Sequence, residues 1–198
     1  MSKPEEDELQ IACQQILLPD ASVFSVQWVD LPLWAGSRVC AKLLLEQYFK
    51  SIRRCTLGLV RPAVNIDGVH FRVMSTRFAL LSFEPARYEA DGEQEAVHLY
   101  INGGFLVQAG ECGRGMFSLL AQTRPDGLRV TVELSDYCPL LLGSNTPSKL
   151  RKLFYGLTQS YFHKVVTVKY LSHLYRFLTG AKQRARVKKV QVRQGTDI

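Results

Sequence analysis

A chain of 198 residues, 46% hydrophobic and 22% charged, can bury one full core and need not be disordered. Its formal net charge of +7 is local: the first 136 residues hold seventeen acids and thirteen bases, whereas Tyr137 to Thr196 hold twelve Lys and Arg and no acid. The five cysteines (Cys13, Cys40, Cys55, Cys112, Cys138) are odd in number and form no CxxC pair, which argues against a disulfide framework and against a zinc knuckle.

Met1 to Glu8 is acidic and lacks the basic-then-apolar order of a signal peptide. No run reaches the ~18 consecutive apolar residues that span a bilayer. Together with the cysteine usage this predicts a reducing, cytoplasmic setting. Residues 7–18 place Leu9, Ala12, Cys13, Ile16 and Leu17 at helical spacing, predicting a short helix. Phe24, Val26 and Trp28 alternate with Ser25 and Gln27, predicting a strand over 24–29. Ser37 suits the N-cap of a helix to about Ile52 that buries Val39, Leu43, Leu44 and Phe49.

From Cys55 to Leu134 the texture is β, with strands predicted over 56–64, 69–83, 97–108, 115–122 and 128–134. Asp67-Gly68, Asp91-Gly92 and Pro125-Asp126-Gly127 punctuate them as turns. In the last hairpin Leu128, Val130, Val132 and Leu134 alternate with Arg129, Thr131 and Glu133, so one face is buried and the other wet. After Pro139 the period returns to 3.6. Asn145 or Thr146 can cap, Pro147 suits the first helical turn and Gly180 the stop. About thirty residues lie between, or ~45 Å of helix. Residues 1–180 thus read as one α+β domain, followed by a basic tail, 181–198, with room for a short strand at Val187, Val190 and Val192.

At ~100° per residue the final helix has a main apolar stripe of Leu150, Leu153, Phe154, Leu157, Tyr161, Val168, Leu171, Tyr175 and Leu178. Tyr155, Phe162, Val166, Tyr170 and Phe177 form a second apolar face, flanked by Arg151, Lys152, Lys169, His173 and Arg176. Three readings fit that second face: other elements of the chain cover it, it docks on a membrane or protein, or it stacks nucleic-acid bases. No known DNA- or RNA-reading motif supports the third. Lys164 interrupts the main stripe; it either binds an anionic head group or lays its methylenes on apolar surface with the ammonium in water.

Candidate chemistry is sparse. His70, His98, His163 and His173 form no HxH, HExxH or HxxxH pattern, so no histidine-built metal site is predicted. The glycines at Gly103-Gly104 and in Gly110-Glu111-Cys112-Gly113-Arg114-Gly115 fit neither GxGxxG nor GxxxxGK[ST]; they read as bends in a sheet.

The order strand, helix, antiparallel strands over 55–134 and one long final helix resembles the START-like (SRPBCC, helix-grip) superfamily. Gly103-Gly104 and the segment Val132-Glu133-Leu134-Ser135-Asp136-Tyr137 leading toward the final helix are compatible with it. The resemblance implies a curved antiparallel β-meander gripping the C-terminal helix, with an apolar ligand such as a lipid, sterol or polyketide between them. It brings no fixed catalytic set, and the basic tail departs from it. The leading expectation is a cavity above ~300 Å³ binding an apolar or amphipathic molecule without a cofactor, lined by Leu157, Tyr161, Lys164 and Val168. The rival is an interaction module. It would set Arg151, Lys152, Lys169, Arg176, Lys182, Arg184, Arg186, Lys188 and Lys189 against an anionic membrane, nucleic acid or partner protein. An enzyme using Lys164 with His163 or Asp136 ranks third.

Overall fold

A computed structural model of the chain describes residues 8–108, 110, 114–142 and 160–198. They form an α+β fold, a large mixed sheet with helices packed on one face. In chain order the elements are β1 (Leu9–Leu17), β2 (Val23–Leu31), a 3₁₀ helix (Leu33–Arg38), α1 (Ala41–Cys55), β3 (Val60–Asn65), β4 (Gly68–Val73), β5 (Ala79–Phe83) and β6 (Arg87–Ala90). Then follow β7 (Gln94–Gly103), β8 (Met116–Arg124), β9 (Gly127–Tyr137), α2 (Tyr161–Thr179), β10 (Ala185–Lys189) and β11 (Thr196–Asp197). The strand order is β10-β1-β2-β9-β8-β7-β5-β4-β3, with β11 also on β1 and β6 also on β7.

The N-terminal segment corrects the helix expected over 7–18. It is strand β1, antiparallel to β2 from Ala12↔Trp28 to Leu17↔Val23. Leu9, Ile11 and Leu17 point into the main core, while Ile16 packs with Phe24 and Val26 in a second cluster on the opposite face. A strand buried on both faces loses its period of two, and what remains can imitate helical spacing. The sheet is also not purely antiparallel. β10 runs parallel to β1, Leu9↔Ala185 through Cys13↔Lys189, so the segment after Gly180 is woven into the sheet edge. A row of Lys and Arg there is one way a sheet edge resists pairing with another chain.

α1 starts later than its sequence suggests because Ser37 lies in the 3₁₀ helix. Cys40 is the N-cap residue and makes no side-chain cap; instead the Ala41 N–H donates to the Glu95 carboxylate of β7 at 3.0 Å. A carboxylate there satisfies an orphan donor and complements the helix dipole. α2 ends at Gly180, whose φ of 73° and N–H to Arg176 O bond match the stop expected there. The cap expected at Asn145 or Thr146 and the apolar positions Leu150, Leu153, Phe154 and Leu157 lie outside the described residues.

α1 and α2 pack on each other through Tyr48 and Tyr170, rings edge-on at 5.2 Å, and the Tyr170 hydroxyl donates to Leu44 O. At the far end β7 leaves β6 and passes to β5, with a register shift at Ser82/Phe83. Gly104 makes that passage possible. Its φ is +118°, and an added Cβ would sit 2.5 Å from Leu80 O and 2.6 Å from Leu81 Cα. Beyond it Phe105 and Leu106 donate to Ala79 and Leu80, which sets Leu106 over the helix-facing side.

One stretch of core under α2 is polar. Ser25 and Gln27 alternate onto the same face of β2 as Val29 and Leu31; both are buried, and Ser25 Oγ and both Gln27 amide atoms lack a hydrogen-bond partner among the described residues. A buried amide left unpaired costs about 1–3 kcal/mol, whereas an apolar isostere does not. Gln27→Met is therefore expected to raise stability by about 1–3 kcal/mol in urea titration. A loss of stability would show that the amide is satisfied in solution, for instance by a held water.

Candidate ligand-binding site

A cavity of about 130 Å³ lies between the sheet and the first turns of α2. Tyr48 and Ile52 of α1 form one wall; Val60, Phe71, Leu80 and Leu81 of β3–β5 form another. Leu106, Leu134 and Tyr137 make the floor, and Phe162, His163 and Val166 of α2 the roof. A β-bulge after Leu134, where three residues of β9 oppose two of β2 and Asp136 has a φ of 50°, breaks the alternation and brings Tyr137 inward as well; its hydroxyl donates to Leu106 O at 2.8 Å. Burial raises the phenol of Tyr48, so it stays protonated.

His163 is the polar exception. Burial pushes its pKa down to about 4, so the ring is neutral near pH 7. Its Nε2 is buried and has no hydrogen-bond partner among the described residues. An apolar chamber with one unsatisfied nitrogen in its wall has the composition of a small-molecule site, apolar contact plus a single orienting group. Its volume falls short of the ~300 Å³ expected for a whole drug-sized ligand. It compares instead with a cavity of ~150 Å³ that accepts benzene.

Of the residues expected to line this space, the three that are described, Tyr161, Lys164 and Val168, are placed elsewhere. Tyr161 is exposed, and Val168 is half-buried at the edge of the core. Lys164 opens into a separate pocket of about 430 Å³ at the sheet edge, with Gln14, Gln15, Lys189, Arg193 and Asp197 among its walls. Cys13 sits at that pocket; burial raises its thiol pKa, while Lys164 and Lys189 oppose the rise. Leu157 lies outside the described residues. Phe162 and Val166 belong to the second apolar face read from the sequence. Val166 and Tyr170 sink because α1 packs on that side, while Phe162 and Phe177 stay exposed, Phe162 at the rim of the chamber.

The basic set is dispersed. Arg151 and Lys152 lie outside the described residues. Lys169, Arg176, Lys182, Arg184, Arg186, Lys188 and Lys189 are all exposed, the last four in or beside the edge strand β10. Arg186 pairs with Glu8 and Lys189 with Asp197, which removes part of the charge. Arg176 shares a groove of about 400 Å³ between α1 and α2 with Lys50, Arg54 and His173. Burial, then Arg54, Arg176 and Lys169, hold the His173 pKa below its ordinary value.

For catalysis the arrangement offers little. His163 and Lys164 open into different pockets. On the outer sheet face His98 Nδ1 lies 2.8 Å from Ser118 Oγ and its Nε2 3.6 Å from Glu89, but Ser118 is 2% exposed and no substrate carbonyl reaches its hydroxyl. No group of three His, Cys, Asp or Glu among the described residues could hold a metal ion. No helix among them is long and apolar enough to cross a membrane.

The sequence matches no family model and no curated protein. Among solved structures, the crystal structure of CalU16 from Micromonospora echinospora is similar at a TM-score of 0.33 and 11% identity, over 88% of this chain and 95% of that one.

Proposed function

We propose that this is a helix-grip protein that binds an apolar or amphipathic, lipid-like small molecule between its sheet and α2. The supporting observation is the apolar chamber of about 130 Å³ with His163 Nε2 in its wall, buried and without a hydrogen-bond partner among the described residues. A ring or a short alkyl segment fills that volume, and a hydroxyl or carbonyl on it meets the imidazole. The neutral ring is donor or acceptor according to tautomer, so either polarity of ligand group is served.

Organic extraction of the purified protein followed by mass spectrometry is expected to release such a molecule in near-stoichiometric amount. Val166→Phe fills the chamber from α2 with apolar volume. It is expected to reduce bound ligand at least tenfold, with the stability changed by no more than about 3 kcal/mol in either direction. An empty wild-type extract, or full occupancy in Val166→Phe, would remove the proposal.

A further inference from the structure

Three loops meet at the end of the molecule next to the chamber: 56–59 after α1, 74–78 between β4 and β5, and 104–106 after β7. Their backbones are joined, Met74 N–H to Leu59 O at 2.6 Å and Phe105 N–H to Ala79 O at 3.0 Å. Their apolar side chains point outward. Leu57 is 93% exposed, and Leu59, Met74, Phe78 and Phe105 lie between 49% and 57%. Single exposed apolar residues need no explanation, but five on adjoining loops form a patch.

Leu57 and Met74 also hold φ angles of 52° and 53°, the left-handed region in which a side chain is disfavoured. Glycine would suit both turns better. Exposed and conformationally disfavoured, these two side chains contribute neither burial nor backbone ease to the fold.

Among the described residues, the charged groups that rim the patch are cations. Arg53 ends α1, Arg61 and Arg72 face each other across β3 and β4, and Arg77 lies in the 74–78 turn. None of the four has an ion-pair partner among the described residues. Segments 47–66, 68–83 and 96–110, which build this end, contain no Asp or Glu. Like charges directly opposed in a sheet are unfavourable without a counter-ion.

We infer that this end docks on an anionic lipid bilayer, with the loop tips in the headgroup–acyl boundary and the four arginines at the level of the phosphates. Aliphatic tips inside a cationic rim are the composition of an interfacial membrane contact. A nucleic-acid surface fits less well. The two rings present, Phe78 and Phe105, lie against each other at 5.2 Å, and the remaining tips have no face on which a base could stack. The surface is separate from β10 and from the outer side of α2, and the inference stands whether or not the chamber holds a ligand.

The test is co-sedimentation of the full chain with phosphatidylcholine vesicles with and without phosphatidylserine. Binding is expected only with the anionic lipid and is expected to weaken as salt rises. The double variant L57G/M74G relieves both left-handed side chains; it is expected to keep or raise the melting temperature while lowering binding at least about tenfold. R61Q/R72Q is expected to weaken binding to the anionic vesicles, and Val166→Phe to leave it unchanged. Equal binding to neutral vesicles, or undiminished binding by L57G/M74G, would overturn the inference. Patch-dependent dimers that ignore vesicles would overturn it too, by making a second copy the occupant.

Discussion

Removing residues 181–198 is expected to cost the protein much of its stability, where loss of a solvated basic tail would cost almost none. β10 covers the outer edge of β1 over Leu9 to Cys13, and β11 covers Ile16 and Leu17. The connecting stretch is tied down by Gln14, whose Oε1 accepts from the Val192 and Arg193 N–H groups and whose Nε2 donates to Arg193 O. Arg193 then lies 4.1 Å over the Phe24 ring and covers the outer cluster. Leu9, Ile11, Ile16 and Leu17 are all buried in the intact chain. At about 1.5–3 kcal/mol for each fully buried aliphatic side chain, uncovering half of each loses about 3–6 kcal/mol. In a domain of this size that lowers the melting temperature by roughly 10 °C or more, and the bared edge of β1 promotes aggregation. A full-length chain with Arg184, Arg186, Lys188 and Lys189 replaced by Gln keeps the strand and loses the charge. It is expected to melt within a few degrees of the wild type. If the truncated protein and the charge variant both melt like the parent, β10 and β11 contribute nothing to the fold.

That contrast also shows what could be read from the residues. The β8–β9 hairpin is legible because its two faces see different media. Leu128, Val130, Val132 and Leu134 are buried, and Pro125-Asp126-Gly127 turns the chain between them. β1 is illegible for the opposite reason: both of its faces are covered, so Gln14 and Gln15 are buried along with Ile11 and Leu17 and polarity no longer marks direction. The tail was visible as a basic segment with scattered valines. A parallel partner 176 residues away, Leu9↔Ala185, leaves no local signal.

The site was legible as a place but not as a set of residues. A long amphipathic helix over an apolar sheet face implies a shared interior, and α2 does lie there. Which angle of the helix faces inward depends on α1, and no helical projection contains α1. Leu171 and Leu178 belong to the main stripe and are buried, but so are Val166 and Tyr170 from the second face, because Tyr48 meets them from the side. The inward arc therefore turns toward α1, bringing Phe162 and His163 to the chamber and sending Lys164 to the sheet edge. The usable signal was the aromatic content of that second face, which is costly to expose and so points to a partner within the fold.

His163 gives the second large expected effect, a large acid-sensitive contribution to stability from one side chain. The unfolded chain carries this imidazole at its ordinary pKa near 6.5, and burial brings it to about 4 in the folded protein. Between these values the unfolded state holds one more proton than the folded state. Stability from this group is complete above about pH 6.5 and declines on acidification toward pH 4, by up to about 3 kcal/mol in all. His173, also held low, contributes in the same direction, whereas the raised carboxyl of Glu133 contributes in the opposite one. The informative quantity is therefore the difference between wild type and His163→Leu, which has neither the titration nor the unpaired nitrogen. In urea titrations the variant is expected to match or exceed the wild type near neutral pH and to lead it by about 3 kcal/mol at about pH 4. Parallel curves would mean that water reaches the ring in the folded state and that the chamber is not dry. Ligand sharpens the same measurement. A group that donates to Nε2 keeps the imidazole neutral further into acid, while a carboxylate draws a proton onto it and moves the transition upward. The direction of the shift on adding an extracted ligand thus reports which end of that molecule lies against the helix.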